Sequence, residues 1–496
     1  MGKRVRQSGS GILAFVFLSV FCLSAYAQEV KKPAPASPKA ETVESGKPAG
    51  EGALLGTMTL AQALSGEEGT GTLNVRIITM TEGIALVLKD SRLIKVSLPD
   101  QDMAYENSLV ARSALLPHVS ANFTQAFNQN QTIAKFGASE VPTAERIAYS
   151  YGFDVYQTLF DFGKSLSNYR ASQEMVKATV AHIDSVKRVA ILEFIMAYFN
   201  VLESEKGIAI AEKEVESLTS YLSDIQHLYE QGSAVKNDLL PAQVKLADAR
   251  QKLIAAKSIR EIALARMNNI LALPLDENTE ARDIVMELPD APPAVEKAWE
   301  IAEKQRPELT FYDDQIKAAR LSEKAKAVEN LPSVYADAGY AYAKNKYFVH
   351  QGNAYVNLGA KMNVFDGGAA QAVLNEERAR ERKLVQEKDK LREDIKFEVQ
   401  DSYVSLKDAR EKFIVAKEAL SQAEENVRFY RTKYEAGSAT QTDVLEAISL
   451  QTRAQSNYYS SDYEVKRGYA KLMYSMGIDL TLIYETMEKK NDKHES

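Results

Sequence analysis

Residues 428–451 read RFYRTKYEAGSATQTDVLEAISLQ, two apolar-periodic runs that meet at one break, Gly437-Ser438. Upstream of the break, Phe413, Ala416, Leu420, Ala423, Val427, Tyr430 and Tyr434 follow at steps of 3, 4, 3, 4, 3 and 4. That spacing puts all seven on one seam of a helix packed in coiled-coil fashion. Glycine reaches the left-handed conformation that ends a helix, and Ser, Thr or Asp caps the next one. The segment is therefore predicted to be the tip of a helical hairpin.

The same tip occurs earlier, in residues 227–243, HLYEQGSAVKNDLLPAQ. Gly232 matches Gly437 and Asp238 matches Asp443, since 437 − 232 = 443 − 238 = 205. Moving the seam back by 205 lands on Ile208, Ala211, Val215, Leu218, Leu222, Ile225 and Tyr229, all apolar. The chain reads as an internal tandem duplication with a long helical hairpin in each half.

Between the start of each half and its hairpin the period changes. Helical spacing from Met103 to Leu116 stops at Pro117, and the second half, restarting near Pro293, stops at Leu331-Pro332. After each proline, apolar residues alternate with polar or small ones at period 2. The first half gives Val119, Ala121 and Phe123, then Ile147, Tyr149, Tyr151, Phe153 and Val155. The second gives Val334, Ala336, Ala338, Tyr340 and Tyr342, then Ala354, Val356, Leu358, Ala360, Met362 and Val364. These are four strands of about ten residues with one apolar face, the length needed to cross a bilayer at a tilt. The prolines are 332 − 117 = 215 apart, so the loop at about 127–146 is longer than that at about 344–353. Each hairpin closes on a matched turn, Phe160-Asp161-Phe162-Gly163 and Phe365-Asp366-Gly367-Gly368. Beyond it a proline-free helix runs to the tip; 68 residues from Lys164 to Gln231 span ~100 Å.

Composition narrows the function. The chain has 496 residues, a net charge of −7 and no basic stripe with interleaved aromatics, so no nucleic-acid partner is expected. Five scattered histidines lack metal-ligand spacing, and no dedicated metal site or cofactor is expected. Nor is there a phosphate loop, a nucleophile elbow or a His-Glu-x-x-His pattern, which argues against an enzyme. Residues 1–27 read as a signal peptide, with Lys3, Arg4 and Arg6 before the apolar run Ile12 to Leu23 and Ala25-Tyr26-Ala27 at the cleavage site. The single cysteine, Cys22, is set aside as a lipidation site, because Ser19-Val20-Phe21 lacks the small residues that processing prefers. Residues 28–57, rich in Pro and Ala, read as a disordered tether. The rest divides into a first structural repeat, 58–280 (β-hairpin 118–160, tip near 232), and a second, 281–477 (β-hairpin 333–365, tip near 437), with a polar tail at 478–496.

Taken together, the TEGIALVLKDSRLI (81–94) and AVEKAWEIAEKQRPEL (294–309) openings, the helix-Leu-Pro-strand junctions, the two matched turns and YEAGSATQTDVLEA resemble the TolC-type outer-membrane efflux protein family. The resemblance covers nearly all of residues 77–477. It implies a mixed α/β membrane protein in the cell outer membrane, a homotrimer whose four strands per chain form a 12-stranded barrel in lipid. The sequence supports a trimer on its own account, since four strands cannot close without exposed edges. By the resemblance, the helices continue the barrel as a periplasmic coiled-coil tunnel. A periplasmic adaptor protein and an inner-membrane transporter dock at its end, making the chain the exit duct of a tripartite efflux or type I secretion system. A periplasmic coiled-coil scaffold or adhesin without transport activity is the alternative.

Candidate site residues follow. Gly232, Ser233, Ala234, Gly437, Ser438 and Ala439 at the tips are the expected adaptor-docking residues, although relatives often carry a bulkier aliphatic residue after the glycine. Asp443 sits where the family motif places the first of two paired gate acids, and Glu446, three residues on, shares its helix face. With Asp238 these form the expected periplasmic gate. Three-fold symmetry would gather the acids into a ring that favours cations and raises the pKa of some members by like-charge repulsion.

Overall fold

The computed structural model describes residues 75–232, 235–283, 286, 288–289 and 292–495. The expected signal peptide, the tether, residues 58–74 and the tip residues Ser233 and Ala234 lie outside the described residues.

The chain opens with strand β1 (Arg76–Ile78), helix α1 (Met80–Asp90) and helix α2 (Arg92–Ser113). Strands β2 (His118–Phe127), β3 (Ile133–Phe136), β4 (Ser139–Pro142) and β5 (Ile147–Phe160) follow. Helix α3 (Lys164–Glu230) then descends to the first tip and α4 (Lys236–Ile270) returns, ending at the short strand β6 (Thr279–Ala281). The second half has α5 (Val295–Gln305), α6 (Pro307–Ala327), β7 (Ser333–Ala343) and β8 (Gly352–Lys361). Helices α7 (Ala369–Glu435), α8 (Gln441–Ser475) and α9 (Leu480–Glu495) complete it. Both long helices have 67 residues and both returning helices 35, each pair 205 apart.

The two long helices begin in the same way. Asp161 accepts hydrogen bonds from the N–H groups of Gly163 (3.1 Å) and Ser165 (2.8 Å), and Asp366 does so from Gly368 (2.9 Å) and Ala370 (2.8 Å). A carboxylate satisfies donors that a helix N-terminus otherwise leaves unpaired, and it meets the positive end of the dipole. Gly163 and Gly368 both adopt left-handed backbone just before the helix. The halves differ at two other left-handed positions. Phe162 (φ 54°) and Ala272 (φ 59°) stand where the second half has Gly367 (φ 70°) and Gly477 (φ 74°).

The main sheet has the order β2-β5-β7-β8, antiparallel throughout. Every apolar residue that the period-2 pattern singled out within these strands falls on one face. Val119 faces Val155, Phe153 faces Tyr340, Ala338 faces Val356, and Ala336 faces Leu358. On this face Tyr342 stacks on Tyr151 at 4.8 Å and Phe153 on Tyr340 at 6.4 Å. Among the described residues the face has no cover: Val119, Phe123, Val356 and Leu358 are each about 70% exposed (72, 67, 70 and 74%). Strand β8 ends at Lys361, so Met362 to Val364 lie beyond the strand that the alternation suggested.

Helix order matches strand order. Near the sheet, α3 packs between α2 and α6, and α6 against α7. Toward the tips, α3 packs between α4 and α8, and α8 against α7. Four columns result: α2 over α4, α3, α6 over α8, and α7. Among the described residues both lateral edges stay open beside the sheet and toward the tips, while at midlevel α5 packs against α7. On α7 the seam residues are all buried or half-buried and their sequence neighbours, Asn426 excepted, exposed, as a helix packed on one side there requires. The seam is less exclusive on α3, where Tyr221 and Glu214 are also buried and Tyr229 is 41% exposed.

Midway along the columns the halves share a core. Phe194, Ile195, Tyr198, Phe199 and Leu202 of α3 meet Ile78, Met80 and Ile84 on one side and Leu472, Met473 and Met476 on another. The Tyr198 hydroxyl donates to the carbonyls of Ile78 (3.0 Å) and Arg282 (2.6 Å), tying α3 to the parallel β1–β6 pair. Arg306, at the α5–α6 junction, is only 7% exposed; its guanidinium pairs with Glu398 of α7 (3.0 Å) and lies over the Tyr474 ring.

Three features went beyond the sequence reading. Strands β1 and β6 are three residues long, too short for a periodicity to register. The longer loop, at about 127–146, carries the β3–β4 hairpin. The polar tail at 478–496 is corrected by helix α9, whose Leu480 and Tyr484 are 4% and 1% exposed within the core. Charged residues dominate its sequence, but these two stand four apart, on one face. Glu488 then accepts from the Thr81 N–H (3.2 Å) at the start of α1. The Tyr484 hydroxyl has no hydrogen-bond partner among the described residues. Tyr484→Ala is expected to cost about 3–5 kcal/mol through the cavity it leaves. Tyr484→Phe is expected to be neutral or stabilising, because it removes an unpaired buried hydroxyl. Denaturant midpoints of the purified variants check both.

Candidate functional site

The second tip is built from three backbone devices. Helix α7 ends when Gly437 takes φ 70°, with its N–H bonded to Tyr434 O (2.9 Å) and that of Ser438 to Lys433 O (2.8 Å). Both bonds satisfy end-of-helix carbonyls in the Schellman pattern. The Ser438 hydroxyl also donates to Lys433 O (3.1 Å), so the expected docking side chain is turned back on its own helix. Helix α8 starts with a capping box: Thr440 Oγ1 accepts from the Asp443 N–H (3.3 Å), and Asp443 Oδ2 accepts from the Thr440 N–H (2.7 Å). The Thr440 hydroxyl also donates to Asp443 Oδ2 (2.6 Å).

Asp443 is thus a cap residue as well as a gate candidate. Bonds from the Thr440 hydroxyl and then its N–H hold the Asp443 carboxyl below its ordinary pKa. Within one protomer this opposes the rise expected from clustered acids. Val444, Leu445, Ala447 and Ile448 are buried against the neighbouring helices, while Asp443 is half-exposed and Glu446 exposed. The same face carries both acids away from the protomer's own core.

The first tip repeats part of this. Gly232 has φ 75°, and its N–H bonds to Tyr229 O (3.0 Å). Asp238 is the third residue of α4, and its side chain lies outside the described residues. The position matching Glu446 is Pro241, because 446 − 205 = 241, so the first tip offers no second acid there.

The tips are joined in one apolar cluster with Leu218, Tyr221 and Ile225 of α3 and Leu246 of α4. The Tyr221 hydroxyl donates to Gln441 O (3.2 Å) in the first turn of α8, and its ring lies 6.1 Å from Tyr434. Sequence reasoning missed Tyr221, because the matched position in the second half is Asn426 and the seam pattern passes it by.

Behind the apolar sheet face, the opposite face is polar. Ser120 donates to Asp154 (2.8 Å) and Asn357 to Asp337 (3.3 Å). Tyr355 lies against Gly339 and Tyr335 against Gly359, rings filling the space above cross-strand glycines. No helix among the described residues is long and apolar enough to cross a membrane.

This architecture has relatives. The model of the outer membrane efflux protein family matches residues 84–273 and 299–478, about three quarters of the chain. The alkaline protease secretion protein AprF of Pseudomonas aeruginosa is 21% identical over 422 residues, 82% of this chain and 86% of that one. The outer membrane efflux protein BepC of Brucella suis is 20% identical over 390 residues, covering 78% and 82%. Among solved structures, the Campylobacter jejuni CmeC outer membrane channel superposes with a TM-score of 0.69 at 15% identity, over 83% of this chain and 89% of that one. At that identity the likeness speaks for the fold, and the family match, spanning both halves from α1 past the end of α8, carries the assignment. The chain belongs to the outer membrane efflux protein family, and it serves in the outer membrane as an exit duct.

Proposed function

We propose that three copies of this chain, the product of a tandem duplication, close edge to edge into a twelve-stranded barrel continued by a periplasmic helical tunnel. An inner-membrane transporter and a periplasmic adaptor feed substrates into it, as in tripartite efflux or type I secretion. The observation that carries this is the pair of open lateral edges. Among the described residues, strands β2 and β8 each have one unpaired side, and beside the sheet and toward the tips α7 on one flank and α2 with α4 on the other have no outer neighbour; α5 packs on α7 only at midlevel. In hydrocarbon an unpaired strand edge leaves backbone groups unsatisfied, so the sheet must close. Twelve strands are enough to leave an open lumen.

On this reading the apolar sheet face meets lipid and the polar face lines the lumen. Val356 and Asn357 are adjacent in β8 and point opposite ways. Val356→Arg is expected to cost ~2–4 kcal/mol near the bilayer midplane and to deplete the protein from the outer membrane. Asn357→Arg, beside Asp337, is expected to reach the membrane normally. Equal membrane yields in a fractionation blot would overturn the assignment of faces.

The tips are the docking ends. Space around Gly437 is open, so Gly437→Val acts only through its positive φ, which a β-branched residue tolerates poorly. Trimer assembly is expected to persist while export falls. Retained export with Val at both Gly232 and Gly437 would place adaptor contact elsewhere.

The gate is the ring of Asp443 and Glu446, with Asp238 from the first tip beside it. A small cation-selective conductance is expected in planar bilayers, blocked by divalent cations from the periplasmic side. Asp443→Ala with Glu446→Ala is expected to abolish the block with the trimer intact. Thr440→Val removes the capping hydroxyl and leaves both charges, so it separates capping from gating: block by divalent cations is expected to survive. A depressed folded-state pKa stabilises above the ordinary carboxylate value, and that gain is lost as pH falls through the depressed value. The α8 cap is therefore expected to hold at neutral pH and to loosen only below about pH 4, read as tip hydrogen exchange against pH.

A further inference from the structure

Helix α3 is covered on one side at midlevel and grooved on the other. Tyr198 and Leu202 are buried in the shared core, whereas Asn200, Ser204 and Gly207 line a groove of about 440 Å³. Helix α4 supplies one wall with Ile259 and Ile262, and α8 the other with Tyr459 and Ser460. That volume suits a small molecule. Floor and walls come from a single chain, so the groove is complete without a second copy.

The floor is open because a side chain is missing. Gly207 stands in the interior of α3, where glycine weakens a helix relative to alanine. Apart from its own helix, nothing lies within 4 Å of where its Cβ would stand, so no packing contact calls for glycine. The other half shows what a side chain does there. The matched residue is Lys412, which pairs with Asp408 (2.6 Å) on its own helix and with Glu464 of α8 (3.8 Å). Glu464 in turn matches Ile259, since 464 − 205 = 259. Where the second half has an ion pair between helices, the first has a glycine and an isoleucine that is 60% exposed.

A charge is left over at one end. Arg266 lines the groove and makes no ion pair or hydrogen bond among the described residues. Its match, Lys471, pairs with Asp401 at 2.8 Å, but the residue that matches Asp401 is Met196. The other charged residue of the lining, Glu203, is already bound to Arg467. The groove therefore combines apolar walls with an uncommitted guanidinium.

We propose that this groove binds one small amphipathic anion per chain, with its apolar body on Ile259 and Ile262 and its acid group on Arg266. A guanidinium presents its donors in a fork that suits a carboxylate or sulfonate. The apolar body leaves water for the isoleucine wall. In the closed duct the groove faces the lumen, because three copies of the midlevel layer on the inner side would block the passage. That placement rests on the duct reading; the groove itself does not.

Anilinonaphthalene sulfonate, an aromatic monoanion whose emission rises in apolar sites, is the probe. Phenylnaphthylamine is nearly the same skeleton without the charge. The full chain, purified in non-ionic detergent, is titrated with each against protein-free micelles. Saturable binding of one sulfonate per chain is expected. Arg266→Gln, at an exposed position, is expected to weaken the sulfonate about tenfold and to leave the neutral amine unchanged. Gly207→Lys with Ile259→Glu copies the ion pair of the second half into the groove and is expected to abolish saturable binding of both probes. If that double variant does not fold, Arg266→Gln carries the test. Equal sulfonate affinity in the natural chain and Arg266→Gln would overturn the site, as would a natural chain that binds none saturably. Undiminished binding by a folded double variant would also overturn it. In planar bilayers the sulfonate is expected to reduce the conductance of the natural channel and not that of the double variant. Binding without that reduction would overturn the lumenal placement. A chain that binds as expected but sizes as a single copy would overturn the closed duct and leave the groove standing.

Discussion

Everything in this chain answers to two unpaired strand edges. Within lipid, each open backbone N–H or carbonyl on β2 or β8 lacks water to bond with, and that penalty is large compared with any side-chain contact in the sheet. One copy cannot remove it. The sheet's own twist bends four strands toward a closed wall, and copies of the same edge pair are available on every chain. In the proposed trimer, closure is thus imposed by the solvent rather than by a specific interface residue.

The helical columns inherit that order instead of setting it. Each long helix begins one tight turn after its strand, with an aspartate and a left-handed glycine fixing the direction of entry. Strand order therefore becomes helix order, and beside the sheet and toward the tips the open edges of the sheet continue as open flanks of α7, α2 and α4. Apolar residues of these helices, such as Val404 and Ile414 of α7, are 52–59% exposed in one copy. The midlevel core, with Arg306 and Tyr198 binding short elements to the long helices, holds the two halves together where helix partners change.

At the tip, the helix cap and the proposed gate draw on the same atoms. Asp443 is bound by Thr440 into the start of α8, so the acid expected to repel its symmetry mates is anchored by a hydrogen-bond pair of its own. The capping bonds hold the Asp443 carboxylate to the start of α8, whereas exposed Glu446 has no such tie among the described residues. Pro241 in place of a second acid makes the two tips unequal, and the second hairpin carries the paired charges alone.

Sequence by itself determined the elements whose signal is periodic and long. The seven-residue seam on α7, the four strands with their apolar face, the matched turns and the two glycine tips are all visible in spacing, because repeated burial on one face imprints a repeated pattern. It also placed Asp443 and Glu446 on one helix face. Tertiary structure alone decided what depends on contacts between distant segments. The pairing of β1 with β6, the burial of Tyr484 in a stretch dominated by charge, and the Tyr221 contact to Gln441 leave no local period to read. The bulge at Leu159 belongs to the same class, since one extra residue in a ladder exists only relative to the strand beside it. Which face a side chain shows is a local property until a neighbour shifts the register, and from there only the fold can say.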